Sequence, residues 1–177
     1  VFFDLFKLRI GLVIGFTAVA GAAVTPGPAT SAWDILLLML AVTMASAAAG
    51  AYNQYAERDL DVLMKRTRRR AFVTGRLRAG PGWLAAIIAI GVAGVVLAAV
   101  AFNAMAALYT FLGAFTYGVV YTVWLKRRTW WNIVVGGLAG SFAVLAGAAA
   151  VTPDSLGALP LAFAVVLFLW TPPHFWS

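Results

Sequence analysis

Apolar residues neither alternate nor recur singly along this chain; they come in long blocks broken by short polar segments. Stretches free of Asp, Glu, Lys and Arg run over residues 10–33, 35–56, 79–125, 129–153 and 155–177. Each is long enough for a helix of about 20 residues across a bilayer, and the third is long enough for two. The pattern predicts an all-α polytopic transmembrane bundle of six helices, at residues 8–24, 35–52, 83–102, 104–125, 133–151 and 156–170. Turn chemistry sets the divisions. Pro26-Gly27-Pro28 closes the first helix, Gly80-Pro81-Gly82 opens the third, Asn103 marks a hairpin, and Thr152-Pro153-Asp154 splits the fifth from the sixth. Small residues such as Gly136, Gly137 and Gly140 let helices approach closely in lipid.

Composition sharpens this picture. The 177 residues are 63% hydrophobic and 11% charged, more apolar surface than one soluble core can hide. A signal peptide is excluded because the apolar runs recur along the whole chain. The absence of cysteine excludes disulfides and thiolate metal sites. Position 1 is Val1, so a trimmed N-terminus is expected.

The net charge of +7 is unevenly placed. All 13 Lys and Arg fall in three segments: Lys7 and Arg9; Arg58, Lys65, Arg66, Arg68, Arg69, Arg70, Arg76 and Arg78; and Lys126, Arg127 and Arg128. With six spans these segments share one side, and the opposite loops carry no Lys or Arg. The positive-inside rule puts the basic side in the cytoplasm, and the charge is a topology signal with no call for nucleic acid.

Three of the six carboxylates lie within the run Asn53-Gln54-Tyr55-Ala56-Glu57-Arg58-Asp59-Leu60-Asp61. Asn53, Glu57 and Asp61 are four apart, so a continuing helix carries them on one stripe, each about 40° round from the last. Such oxygen ligands suit Mg²⁺, which takes one or two carboxylates together with substrate phosphates. Lys65, Arg66 and Arg70 follow at once, cations able to neutralise a diphosphate. A plainer reading is also open: Asp61 pairs with Lys65 at i,i+4, and the basic run only fixes topology.

A resemblance separates the two. Asn53, Glu57, Asp61, Met64, Arg66, Thr67, Arg70, Gly75 and Arg76 together resemble the first aspartate-rich motif of the haem O synthase branch of the UbiA-type intramembrane prenyltransferases. Residues 121–132 and the run Trp170-Thr171-Pro172-Pro173-His174-Phe175-Trp176 are similar to later segments of that branch. The chain departs from it at Ala71, where the family usually has Pro, and at Glu57, where it often has Asp. The resemblance implies a single prenyltransferase domain over residues 1–177 with a cytoplasmic active-site loop at 53–80. It implies six of nine helices, with a second acidic motif expected beyond His174.

The implied reaction transfers farnesyl from farnesyl diphosphate to a vinyl group of haem B, giving haem O in a bacterial inner membrane. By the resemblance, Asn53, Glu57 and Asp61 are catalytic and hold Mg²⁺, with Asp59 as a helper or structural pair. Lys65, Arg66 and Arg70 bind diphosphate. His174 is a candidate haem contact, against the commoner role of a hydrogen-bonded structural histidine. Pro172 and Pro173 are expected to end or kink the sixth helix. Haem A synthase and oxidase assembly factors are the partner proteins implied, in a lipid bilayer. The rival readings are a UbiA-type enzyme for a quinone or chlorophyll precursor, and a noncatalytic transporter or assembly subunit. Trp33, Trp83, Trp124, Trp130, Trp131 and Trp170 read as interface anchors, and Asp34 and Asp154 as solvated acids on the far side.

Overall fold

A computed structural model describes residues 2–126, 128–154 and 156–176, with side chains through residue 174. Arg127 of the third basic segment lies outside the described residues. The described chain is all-α: α1 (Phe2–Leu5), α2 (Leu8–Ala23), α3 (Ala32–Ala56), α4 (Arg58–Asp61), α5 (Pro81–Ala101), α6 (Ala104–Phe115) with a π-helical extension (Thr116–Leu125), α7 (Asn132–Val151) and α8 (Ala158–Trp176). The six apolar helices lie where the pattern puts them. Four of them, α3, α5, α6 with its extension and α7, are long and apolar enough to cross a membrane, and α2 and α8 are shorter apolar helices. The short helices α1 and α4 carry no such pattern.

Small residues set the packing. Helix α2 lies on α7, α3 on α5, and α7 also on α6 and α8. At the α2–α7 crossing a Cβ on Gly147 would overlap the Ala18 carbonyl, and one on Gly21 would overlap the carbonyl of Val144. Close approach of backbones supplies the van der Waals contact that lipid cannot replace. Alanines 18, 22, 143 and 146 therefore form one core with Leu38 and Val42. Helix α5 is half-embedded: Ile87, Gly94 and Ala98 are buried, while Ile88, Val92, Val96 and Val100 face outward.

Three expectations are corrected. Helix α3 runs past Tyr52 to Ala56, which brings Asn53 and Gln54 into the bundle. Helix α8 does not end at its prolines but continues through Pro172 and Pro173. Contacts within α8 and with α7 flank these prolines. Thr171 donates to the Leu167 carbonyl at 2.8 Å and rests on Gly137, while His174 stacks on Trp170 at 4.2 Å. Trp83 is not a freely exposed anchor: half-buried, it packs edge-on against Phe72 at 6.0 Å and beside Phe2 at 6.1 Å. The other five tryptophans are exposed, as an anchor role requires.

The basic segments meet at one end of the bundle, because Lys7 reaches Asn53 and Lys126 reaches Glu57. At the other end polar side chains close helix termini. Ser31 and Asp34 form a reciprocal capping box on α3, giving Asp34 a structural task. Asn103 caps α6 through Ala106 N and donates to the Ala149 carbonyl at 2.7 Å.

Candidate active site

Helix α3 pauses at Glu57 and resumes as α4, yet the pause costs little register. The Glu57 carbonyl accepts from both Leu60 N and Asp61 N at 2.9 Å, so the turn stays nearly helical. Asn53, Glu57 and Asp61 thus keep one face, and all three are buried, at 2%, 1% and 0% exposure. Asp59, on the opposite side of that turn, is exposed.

Every member of the stripe meets a cation. Lys7 Nζ donates to Asn53 Oδ1 at 3.0 Å, Lys126 Nζ to Glu57 Oε2 at 2.7 Å, and Arg70 to Asp61 Oδ2 at 2.6 Å. The members are also tied together. Asn53 Nδ2 donates to Glu57 Oε2 at 2.9 Å and to Thr122 Oγ1 at 3.1 Å. Yet Glu57 Oε1 and Asp61 Oδ1 are buried with no hydrogen-bond partner among the described residues. A buried carboxylate oxygen left bare is costly, so these two atoms point to a ligand that is itself positive.

The loop after α4 delivers Arg70. Thr67, buried, donates to the Asp61 carbonyl at 3.1 Å, and the next turn is closed by Arg70 N on the Thr67 carbonyl at 2.9 Å. Ala71 and Phe72 then anchor the loop, Phe72 edge-on to Tyr55 at 5.6 Å. Gly75 has φ +74°, a left-handed turn that favours glycine, and it returns the chain toward α5. Of the sequence candidates Arg70 is therefore brought into the site, while Lys65 and Arg66 are exposed on the same loop. Asp61 pairs with Arg70, not with Lys65 as the plainer reading has it. His174 is exposed on α8, on the Trp170 ring.

Four site residues went unassigned in the sequence: Lys7, Tyr117, Thr122 and Lys126. Three of them depend on the neighbouring helix geometry. In an α-helix Tyr117 and Lys126, nine residues apart, would point about half a turn away from each other. The π-helical winding of residues Thr116–Leu125 turns both toward the stripe, consistent with the concentration of π segments at functional sites. Lys126 N bonds to the Tyr121 carbonyl and Thr122 Oγ1 to the Tyr117 carbonyl, both five residues back. Tyr117 and Tyr121 stack at 5.5 Å, with Lys7 over the first ring and Lys126 over the second.

Lys7 is held from α1. Its backbone is left-handed at φ 46°, a conformation costing a non-glycine residue about 1 kcal/mol or more. Gln54 donates to the Asp4 and Leu5 carbonyls at 2.7 and 3.2 Å, which fixes that turn against α3. Burial, with Arg70 and Lys126 nearby, pushes the Lys7 ammonium down to about 8.

Beside Lys7 and Tyr117 a cavity of about 270 Å³ runs between the helices, walled by Ile14, Val42, Ala49, Gly136 and Ala143 among others. A polar stripe with bare acid oxygens thus adjoins an apolar chamber. A model of the UbiA prenyltransferase family matches residues 14–177. The chain belongs to that family.

The UbiA match agrees with the curated relatives. The chain is 59% identical over 174 residues to protoheme IX farnesyltransferase 2 of Paramagnetospirillum magneticum, covering 98% of this chain and 60% of that protein. It is 49% identical to protoheme IX farnesyltransferase 1 of the same organism, over 99% of this chain and 61% of that one. With the protoheme IX farnesyltransferase of Gluconacetobacter diazotrophicus it shares 46% identity, over 99% of this chain and 55% of the relative. The chain spans little more than half the length of these relatives. No solved structure matches it. Among the described residues no group of three or more His, Cys, Asp or Glu could hold a metal. Two carboxylates and an amide are instead the sparse protein set that suits a magnesium ion sharing its shell with phosphate.

Proposed function

We propose that the protein transfers a farnesyl group from farnesyl diphosphate to a vinyl group of haem B, giving haem O. The basic end lies on the cytoplasmic face of a bacterial inner membrane, with residues 53–80 as its active-site loop. The observation that carries the reading is the buried stripe of Asn53, Glu57 and Asp61, with bare Glu57 Oε1 and Asp61 Oδ1, beside an apolar cavity. The names of the relatives support the choice of acceptor.

Asn53, Glu57 and Asp61 would hold Mg²⁺. The bound ion supplies charge that stabilises the departing diphosphate. Arg70 and Lys126 are poised to bind phosphate oxygens, since each already sits against a carboxylate of the stripe. Lys65 and Arg66, exposed on the loop, are outer contacts for the same anion. In the transfer the farnesyl C1–O bond breaks and diphosphate leaves with the electron pair. The haem vinyl carbon then bonds to C1. Water adds to the neighbouring porphyrin-side carbon and a proton is lost, completing a hydroxyethylfarnesyl group. The apolar cavity walls accommodate the isoprenoid and exclude other water. His174 would touch haem from the end of α8, and haem A synthase or oxidase assembly factors would receive the product.

The test uses the full-length protein in membranes given farnesyl diphosphate with either haem B or 4-hydroxybenzoate. Magnesium-dependent haem O, read by chromatography, is the expected outcome. Prenylated benzoate without haem O moves the acceptor to a quinone precursor. Neither product, with no magnesium-dependent diphosphate binding, leaves a noncatalytic membrane protein.

A further inference from the structure

Two carboxylates face three cations in the site, and the ion pairs go to Lys126 and Arg70. Lys7 is the surplus charge. Its hydrogen bonds go to an amide oxygen, Asn53 Oδ1, and a phenol, Tyr117 OH, at 3.0 and 2.9 Å. Neutral acceptors repay little of what an ammonium loses on leaving water. The chain nonetheless holds it there firmly. The turn at Lys7 is left-handed and pinned by Gln54, and its aliphatic stem lies across Gly50, where a Cβ would come within 3.3 Å of Lys7 Cδ. The oxygen that Lys7 occupies is also one of the three atoms the stripe offers to a metal.

We infer that Lys7 couples the binding of metal and prenyl diphosphate: its ammonium competes with the metal for Asn53 Oδ1, and it yields that oxygen when a diphosphate gives it a better acceptor. This rests on the metal-diphosphate reading of the stripe. Two cations contending for one oxygen make metal alone bind weakly. A prenyl diphosphate carries more negative charge than the metal carries positive, so it offsets the surplus and draws the ammonium away. Lys7 lines the cavity beside the stripe, where the head of such a substrate enters. The coupling is reciprocal, so each ligand tightens the other by one common factor.

The effect can be read without turnover. Binding of Mn²⁺ is followed by electron paramagnetic resonance in the full-length protein, alone and with the non-ionising analogue farnesyl S-thiolodiphosphate. In Lys7→Met the expected changes have opposite signs. Mn²⁺ alone binds about fivefold tighter or more, and Mn²⁺ with the analogue binds weaker by a similar factor. Arg9→Met, which removes an exposed charge two residues away, changes neither. Both affinities unchanged in Lys7→Met, or both weakened together, overturn the coupling. Where Lys7→Met does not fold, a structure of the wild-type protein with both ligands decides. Lys7 Nζ on a phosphate oxygen supports the inference, and Lys7 Nζ still on Asn53 Oδ1 overturns it. A wild-type protein that binds no Mn²⁺ even with the analogue fails the metal-diphosphate reading itself, a result distinct from failure of the coupling.

Discussion

The two ends of the bundle use polar side chains in opposite ways. At the far end polar groups cap helices and bind backbone carbonyls, while Thr152 Oγ1 is buried with no hydrogen-bond partner among the described residues. Ser31 and Asp34 cap α3, Thr25 bonds the Gly21 carbonyl, and Asn103 caps α6 while bracing α7. At the basic end side chains bond to distant side chains instead of to backbone, and two carboxylate oxygens are left bare. A neutral hydroxyl without a partner, as at Thr152, costs less than a bare carboxylate oxygen, so the incomplete acids at the basic end are the groups that call for a ligand. Burial alone does not make the distinction, since Thr25 and Glu57 are both buried.

The largest break in this comparison is expected at the acids. Glu57→Gln or Asp61→Asn keeps shape and removes the charge a metal needs, so haem O formation in membranes should fall by about 100-fold or more. Insertion, checked by fluorescence-detected chromatography, should be retained. Near wild-type product from both variants would contradict the site.

Next comes Lys126→Met, which leaves Glu57 buried without its cation. Stability should drop by about 3 kcal/mol, and added Mg²⁺ with diphosphate should restore part of it. Thermal melts with and without the two ligands measure both effects. A smaller change is expected from Asn103→Ala at the far end. It should cost about 1 kcal/mol through the lost cap, with turnover per folded molecule unchanged. Smallest of all is Arg68→Gln: this exposed residue of the loop after α4 should alter haem O yield less than twofold. A loss as large as that of Glu57→Gln would mean that the loop's charge matters as a field and not through Arg70.

Much of this contrast is legible in the sequence. Apolar blocks and proline-glycine turns locate the six apolar helices, and the spacing of Asn53, Glu57 and Asp61 marks the stripe. Arg70 also lies within the motif. The rest is hidden for physical reasons. Lys7 and Lys126 look like topology markers, because nothing local tells a cation that ends a span from one that reaches into it. Tyr117 and Thr122 depend on π-helical winding, which has no period in the apolar pattern of residues 104–125. Pro172 and Pro173 read as a helix stop, yet packing on Gly137 and the Trp170 ring carries α8 past them. Trp83 reads as an anchor because its distance from Phe72 along the chain conceals their contact.

The winding of residues Thr116–Leu125 has a consequence for anyone who would rebuild this site. Its geometry is stored as a phase between two side chains of one helix, not in the identity of either. Tightened to ordinary α-helical pitch, the same ten residues would carry Lys126 away from Glu57 while every ligand atom remained in the sequence. Transplanting the side chains onto straight helices would therefore copy the parts and lose the site.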